Sequence, residues 1–205
     1  MGLIYYIDLF GIFVFTISGA IAASEKKHHH DLFSVFFTGF ITAIGGGTAR
    51  DLLLGVPVVW IKDISYLAMI LAGVIAMLLF RKQILNLTRT LRLFDTSGMA
   101  IYVVLGVKKC LELHVNPLAA IVLGMISGIF GGVIRDTLLN EIPLIFRKEL
   151  YATPCLTGAL LYVVLTYTPL HAELNFILSV LFIILFRLLA YRHQWSLPTF
   201  RFRDE

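Results

Sequence analysis

The chain has 205 residues, is 59% hydrophobic and only 15% charged, and has a mean hydropathy of +0.88. That composition excludes an ordinary soluble domain, and several apolar runs approach the roughly 20 residues that cross a bilayer as a helix. Segments of about ten alternating residues, the mark of a membrane barrel, are missing, so the fold class is an all-α integral membrane protein. The net charge of +4 does not point to nucleic acid, because the basic residues collect in loops on one side, as membrane topology requires.

In chain order, the first span is expected from about Ile4 to Ala23. Ala20-Ile21-Ala22 imitates a cleavage site, but no basic region precedes the apolar run, so the helix is expected to be retained. A polar loop with Lys26, Lys27 and His28-His29-His30 follows. Adjacent histidines in a loop diverge, so a solvated loop is expected there and not a metal site. The second span covers about Leu32–Leu54 and stops at Gly55-Val56-Pro57. The third is about Ile64–Phe80. Residues 81–94 carry Arg81, Lys82, Arg89 and Arg92 among leucines and read as a basic amphipathic linker on an anionic leaflet. The fourth span, about Thr96–Val107, is short unless Asp95 and Lys108 lie at its ends. Pro117 opens the fifth, about Leu118–Leu139. The sixth is about Tyr151–Tyr167, the seventh about Phe176–Tyr191, and a basic tail closes the chain.

Seven spans place eleven Lys and Arg on one side and three on the other, Lys62, Lys108 and Lys109. The positive-inside rule then sets the N-terminus outside and the C-terminus in the cytoplasm, with the chain expected in the cell inner (plasma) membrane. Cys110 and Cys155 have neither metal nor disulfide spacing, lie near opposite faces, and are expected as free thiols.

The second span contains Gly45-Gly46-Gly47-Thr48-Ala49-Arg50-Asp51, and the fifth repeats the phrase as Gly131-Gly132-Val133-Ile134-Arg135-Asp136. A shift of 85 positions lays Gly39–Leu54 over Gly124–Leu139 with nine of sixteen residues identical, where composition alone gives about one or two. Asp8 and Gly11 match Asp95 and Gly98, Gly19 matches Gly106, and Lys62-Asp63 matches Lys148-Glu149. The chain therefore divides into a first three-helix repeat (1–80), the linker (81–94), a second repeat (95–168) and the seventh helix with its tail (169–205). Three spans per repeat force the second repeat to enter the membrane inverted, and inverted repeats place a permeation or binding site near the midplane.

Glycine in a helix costs about 1 kcal/mol relative to alanine, and a central membrane arginine about 2.5–3.5 on insertion scales. Both liabilities occur twice. Gly39, Ala43 and Gly47, like Gly124, Gly128 and Gly132, are spaced to form a small-residue packing stripe. Three consecutive glycines cannot all serve one stripe, so Gly45–Gly47 and Gly131–Gly132 are expected to kink or break their helices and line a pathway. Phe130 replaces the first glycine of the second copy, so the halves need not bend equally. Arg50 and Arg135 are the candidates to face that pathway, and Asp51 is expected to brace a neighbouring helix, with Asp136 as its repeat equivalent. Topology suggests that Asp8 neutralises Arg50 and that Asp95 neutralises Arg135. Thr16, Ser18, Thr42 and Ser127 can bond ions or water, although satisfying a helical carbonyl is the commoner use. No catalytic constellation is present, so an enzyme is not expected.

A 3+3+1 chain with Gly-Gly-Gly-x-x-Arg-Asp on the second span and Gly-Gly-x-x-Arg-Asp on the fifth resembles the trimeric intracellular cation channel (TRIC) family in its prokaryotic branch. Ile142–Ala152 resembles that branch as well. The resemblance implies a homotrimer in the bilayer with one hourglass pore per protomer, kinked second and fifth helices as its walls, and permeation by K⁺ and Na⁺. It implies no cofactor beyond such an ion and no resident metal. Two arginines beside a passage repel cations, so they must be neutralised or move before conduction, with freed carbonyls supplying favourable dipoles. The alternative is a secondary transporter of glycine or another small amino acid, with a half-helix N-terminus or Arg50 holding the carboxylate.

Overall fold

The computed structural model describes residues 2–25, 31–82 and 88–198. His28–His30, Lys26 and Lys27, the middle of the expected linker and the last arginines of the tail lie outside the described residues. Among the described residues there are eight α-helices and no strand: α1 (Leu3–Ser24), α2 (Leu32–Leu53), α3 (Val59–Lys62), α4 (Ile64–Leu79), α5 (Thr88–Glu112), α6 (Pro117–Leu138), α7 (Ala152–Thr166) and α8 (Ala172–Arg192). A 3₁₀ turn, Leu144–Phe146, precedes α7. Five helices, α1, α2, α5, α6 and α8, are long and apolar enough to cross a membrane, and α4 and α7 are shorter apolar helices of 16 and 15 residues. At 1.5 Å per residue those two are about 24 and 22 Å long, below the hydrocarbon thickness of about 30 Å.

Local chemistry sets the helix starts. Asp31 caps α2 through the Ser34 amide, Asp63 caps α4 through the Ser65 amide, and Asn116 caps α6 ahead of Pro117. The fourth apolar stretch begins earlier than its hydropathy suggests. Asp95 does not sit at a helix end; it lies well inside α5 with no exposed surface, so Thr88–Phe94 continues the helix. The Arg92 guanidinium stacks 4.1 Å above the Tyr191 ring and lies 3.3 Å from Glu149.

The packing follows the repeat. α1 lies against α2 and α4, and α5 lies against α6 and α7 in the same relation; α2 on α6 and α1 on α5 join the halves. α8 covers α5 and α7. Gly19 meets Gly39 where α1 crosses α2, and Gly106 meets Gly124 where α5 crosses α6. In each case a methyl group added to the first glycine would lie 2.8 Å from the second one's Cα. Two backbones this close require glycine on both sides.

α2 and α6 run unbroken through Gly45–Gly47 and Gly131–Gly132, so the expected interruption of these helices is not found. Gly46 and Gly131 instead let the two helices cross at backbone contact. A Cβ on Gly46 would lie 2.0 Å from the Ser127 carbonyl oxygen, and one on Gly131 would lie 2.2 Å from that of Thr42. The loss in helix propensity is offset by the contact it permits.

Candidate functional site

Two polar clusters lie on either side of this crossing, one near the start of α1 and one toward its far end. Ser18, which belongs to the second cluster, is ten residues beyond Asp8, or about 15 Å along the helix.

In the first cluster, Arg50 is 6% exposed, and both its Nε and Nη2 lie 2.8 Å from Asp51 Oδ1. Its Nη1 reaches across the crossing and donates to Ser127 Oγ at 3.2 Å. Asp51 also accepts from Lys109 Nζ of α5 at 2.7 Å, so it braces a neighbouring helix as its position on the stripe suggests. Asp8 does not pair with Arg50. Its carboxylate accepts from the phenols of Tyr66 (Oδ2, 2.6 Å) and Tyr102 (Oδ1, 2.7 Å). Arg50 is drawn instead to the acid one residue away in its own helix. A cavity of about 30 Å³ adjoins these groups, lined by Asp8, Gly47, Thr48, Arg50, Tyr66 and Tyr102 among others, with room for about one water. α3 covers it, and Trp60 Nε1 donates to Thr48 Oγ1 at 3.0 Å.

In the second cluster, Arg135 is 1% exposed and is shared between two acids. Nη1 donates to Asp95 Oδ1 at 2.8 Å and to Ser18 Oγ at 2.9 Å, and Nε donates to Asp136 Oδ1 at 2.8 Å. The predicted pairing of Asp95 with Arg135 is therefore present. Asp136 also accepts from the Leu144 amide at 3.1 Å and so anchors the 3₁₀ turn. Arg187 of α8, which the repeat did not point to, donates to Asp95 Oδ2 at 3.0 Å and lies 4.0 Å over the Tyr151 ring. The Tyr151 phenol donates to the same carboxylate oxygen at 3.3 Å. A lone arginine in an apolar helix is a signal in its own right, and Arg187 was legible on that ground. A cavity of about 260 Å³ borders Arg135 and Asp136.

The pseudo-symmetry extends to single residues. Tyr66 and Tyr151, 85 positions apart, each begin a short helix and each donate to the acid of their own repeat. Each cluster contains two acids and two bases, so each balances formally: Asp8, Asp51, Arg50 and Lys109 in one, Asp95, Asp136, Arg135 and Arg187 in the other. Their wiring differs. Both bases of the second cluster hold Asp95, whereas both bases of the first hold Asp51 and leave Asp8 to phenols.

The remaining expected residues divide clearly. Gly47 and Gly132 face the clusters, with Arg50 Nη2 at 3.9 Å and Asp95 Oδ1 at 3.6 Å from an added Cβ. Gly45 is in looser contact with Ile134 and Gly131. Phe130 points outward and is 42% exposed. Thr16 and Thr42 bond the helical carbonyls of Ile12 and Thr38, the commoner use, whereas Ser18 and Ser127 each receive an arginine. Glu149 pairs with Arg92, and Lys148 is exposed, so neither joins a cluster. Cys110 and Cys155 are buried free thiols. Among the described residues no group of three or more His, Cys, Asp or Glu is arranged to hold a metal ion.

The sequence model of a family described as Glycine transporter matches residues 5–82 and 92–167, one match per repeat. The UPF0126 membrane protein of Vibrio cholerae is 42% identical over 203 residues, covering 97% of this chain and 83% of the relative. The UPF0126 inner membrane protein YadS of Escherichia coli K12 is 37% identical over 201 residues, covering 97% and 96%. Among solved structures, the TRIC trimeric intracellular cation channel orthologue from Rhodobacter sphaeroides superposes with a TM-score of 0.88 at 31% identity, covering 95% of this chain and all of that one.

Proposed function

We propose a cation-channel function for this chain, which belongs to the Glycine transporter family and is, in sequence and fold, a member of its prokaryotic TRIC-type branch. The observation that carries the proposal is the pair of polar clusters, each balanced in charge and each built around an intramembrane arginine, on opposite sides of one glycine crossing. Intramembrane charges at this cost are found where ions or substrates pass. The chain spans the inner membrane seven times, as two inverted triplets (α1, α2, α4 and α5, α6, α7) followed by α8, with the N-terminus outside. It assembles as a homotrimer, and each protomer conducts K⁺ and Na⁺ through its own pathway between α2 and α6. The first cluster then faces outward and the second faces the cytoplasm.

The conformation described here is the closed one. Backbone contact at Gly46 and Gly131 fills the midplane, with Arg50 bonded to Ser127 of α6 on one side and Arg135 bonded to Ser18 of α1 on the other. Opening requires α2 and α6 to part by a small sliding motion, while the arginines stay on their acids and no bare positive charge faces the passing cation. The glycine-carrier reading gains less from the geometry. The guanidinium groups that would hold a substrate carboxylate are already committed to Asp51, Asp95 and Asp136.

The test is K⁺ flux from liposomes containing the purified protein, in the absence of any amino acid. Flux that changes in Arg50→Gln supports the channel. No K⁺ flux, together with saturable uptake of labelled glycine, would overturn it in favour of a carrier.

A further inference from the structure

The turns that follow α2 and α6 are built alike and fastened differently. Gly55 and Asn140, 85 positions apart, both have left-handed backbone, with φ of +65° and +53°. In each turn the next amide bonds back to a backbone carbonyl of the helix, Val56 to Asp51 at 3.0 Å and Glu141 to Asp136 at 2.8 Å. The chain then folds over its own cluster, as α3 in the first repeat and as the 3₁₀ turn Leu144–Phe146 in the second. Val59 and Leu144, again 85 apart, each line two cavities at once. On one side of α3 is the 30 Å³ space beside Asp8 and Arg50. On the other is a cavity of about 390 Å³ bordered by Pro57, Lys62, Lys109, Glu112 and Leu113 among others. Pro57, Lys62, Glu112 and Leu113 are exposed, so this larger cavity is a vestibule at the surface, and α3 is the wall between it and the first cluster.

The inner turn is pinned by the Leu144 amide to the Asp136 carboxylate, and a charged acceptor makes a hydrogen bond roughly twice as strong as a neutral one. α3 has no buried residue. It is held by the neutral bond from Trp60 Nε1 to Thr48 Oγ1, with the Trp60 ring edge-on to Phe40 at 5.5 Å. The repeat equivalents of Trp60 and Thr48 are Ile145 and Val133, whose side chains can form no such bond. Both ends of the outer segment can pivot. Gly55 has nothing within 4 Å of an added Cβ, and Asp63 is extended (φ −122°, ψ 109°) between α3 and α4. The Tyr5 hydroxyl holds the Asp63 carboxylate at 2.7 Å, so the α4 end stays in place when α3 swings.

We propose that residues 56–62 form a lid, latched by Trp60 on Thr48, whose opening joins the outer vestibule to the space beside Asp8 and Arg50. This movement is local and does not require α2 and α6 to part. The inner turn has no such latch, so only the outer entrance is controlled in this way. The inference rests on the channel reading for its purpose, since it places control of entry at the outer end, but it is tested by access and not by conduction.

The experiment is the rate of thiol modification of Gly47→Cys in the purified full-length protein, with Cys110→Ala and Cys155→Ala removing the native thiols. Gly47 lines the space behind the lid, and a Cβ there would meet nothing closer than 3.9 Å. The reagent is the anionic 2-sulfonatoethyl methanethiosulfonate, which is too large for a space that holds about one water, so modification reports an open lid. Slow modification is expected with the latch intact. Trp60→Phe and Thr48→Val each remove one side of the latch and are each expected to speed it about fivefold, the population change that loss of one neutral hydrogen bond brings. Gly132→Cys, which faces the second cluster, is expected to react at a rate that neither latch variant changes. No modification of Gly47→Cys in any background, a rate indifferent to both latch variants, or an equal acceleration at Gly132→Cys overturns the lid. Should a cysteine variant fail to fold, acrylamide quenching of Trp60 in Trp195→Phe protein decides the matter. Thr48→Val is expected to increase that quenching, and unchanged quenching overturns the lid. The two proposals fail separately. Latch-dependent access without K⁺ flux rejects the channel and keeps the lid, whereas K⁺ flux with access indifferent to the latch does the reverse.

Discussion

Three adjacent glycines offer a sharp test of the crossing, because alanine at each meets different surroundings. At Gly46 the new Cβ would lie 2.0 Å from the Ser127 carbonyl oxygen and 2.9 Å from its carbonyl carbon, both backbone. Ordinary contact begins near 3.4 Å, so α2 and α6 must separate by the difference, 1.4 Å. No side-chain rotation relieves a clash with backbone. Overpacking of this kind costs about 1–3 kcal/mol, and a rigid partner places it at the upper end. Alanine returns about 1 kcal/mol of helix propensity, which leaves Gly46→Ala about 2 kcal/mol less stable than wild type. At Gly45 the nearest atom is the Ile134 Cδ1 methyl at 3.2 Å, the far end of a flexible side chain, and the propensity gain roughly cancels its displacement. At Gly47 the nearest atom is 3.9 Å away, so alanine is tolerated and merely narrows the cavity. Unfolding in detergent titrated with SDS measures all three. The expected order of stability is Gly47→Ala at or above wild type, Gly45→Ala close to it, and Gly46→Ala well below. A Gly46→Ala protein as stable as Gly47→Ala would refute the crossing geometry.

Asp95→Asn leaves Arg135 and Arg187 without their shared carboxylate and is expected to cost about 3–5 kcal/mol in the same titration. Adding Arg187→Gln to that variant is expected to recover part of the loss, because one orphaned charge is then removed. Thr48→Val removes the acceptor of the Trp60 N–H and is expected to cost about 1 kcal/mol, with a red-shifted tryptophan emission as α3 loosens over the cavity. Replacement of Lys109 by Met leaves the Arg50–Asp51 pair in place and, because the Lys109 end of its own pair with Asp51 is partly exposed, is expected to change stability by less than about 1 kcal/mol.

The doubled Gly-Gly-x-x-Arg-Asp phrase made the internal repeat, and the pairing of Asp95 with Arg135, legible from the chain alone. Equal partners for Asp8 and Arg50 were a reasonable extrapolation that failed for a local reason. Asp51 is adjacent to Arg50, and Lys109 arrives from a helix that no spacing rule connects to it. Arg187 has no counterpart in the repeat, because α8 stands outside it, although an arginine flanked by Phe186 and Leu188 in an apolar helix is an anomaly by itself. The glycine triplet predicts a kink or break because its intrinsic cost is high, yet the helix runs through it without interruption. That cost is offset by a backbone contact with a helix 85 residues away, which propensity does not describe. The helix α5 starts earlier than hydropathy predicts for a related reason. A buried acid held by two arginines continues a helix as readily as an apolar residue, whereas hydropathy treats it as a boundary.

The central claim is most directly tested by recording from the purified protein in a planar bilayer, with KCl on both sides and no amino acid present. The account predicts discrete unitary K⁺ currents that are altered by Arg50→Gln and by Gly46→Ala. An electrically silent bilayer, with protein shown to be folded and inserted and with glycine taken up saturably by matching liposomes, would contradict it.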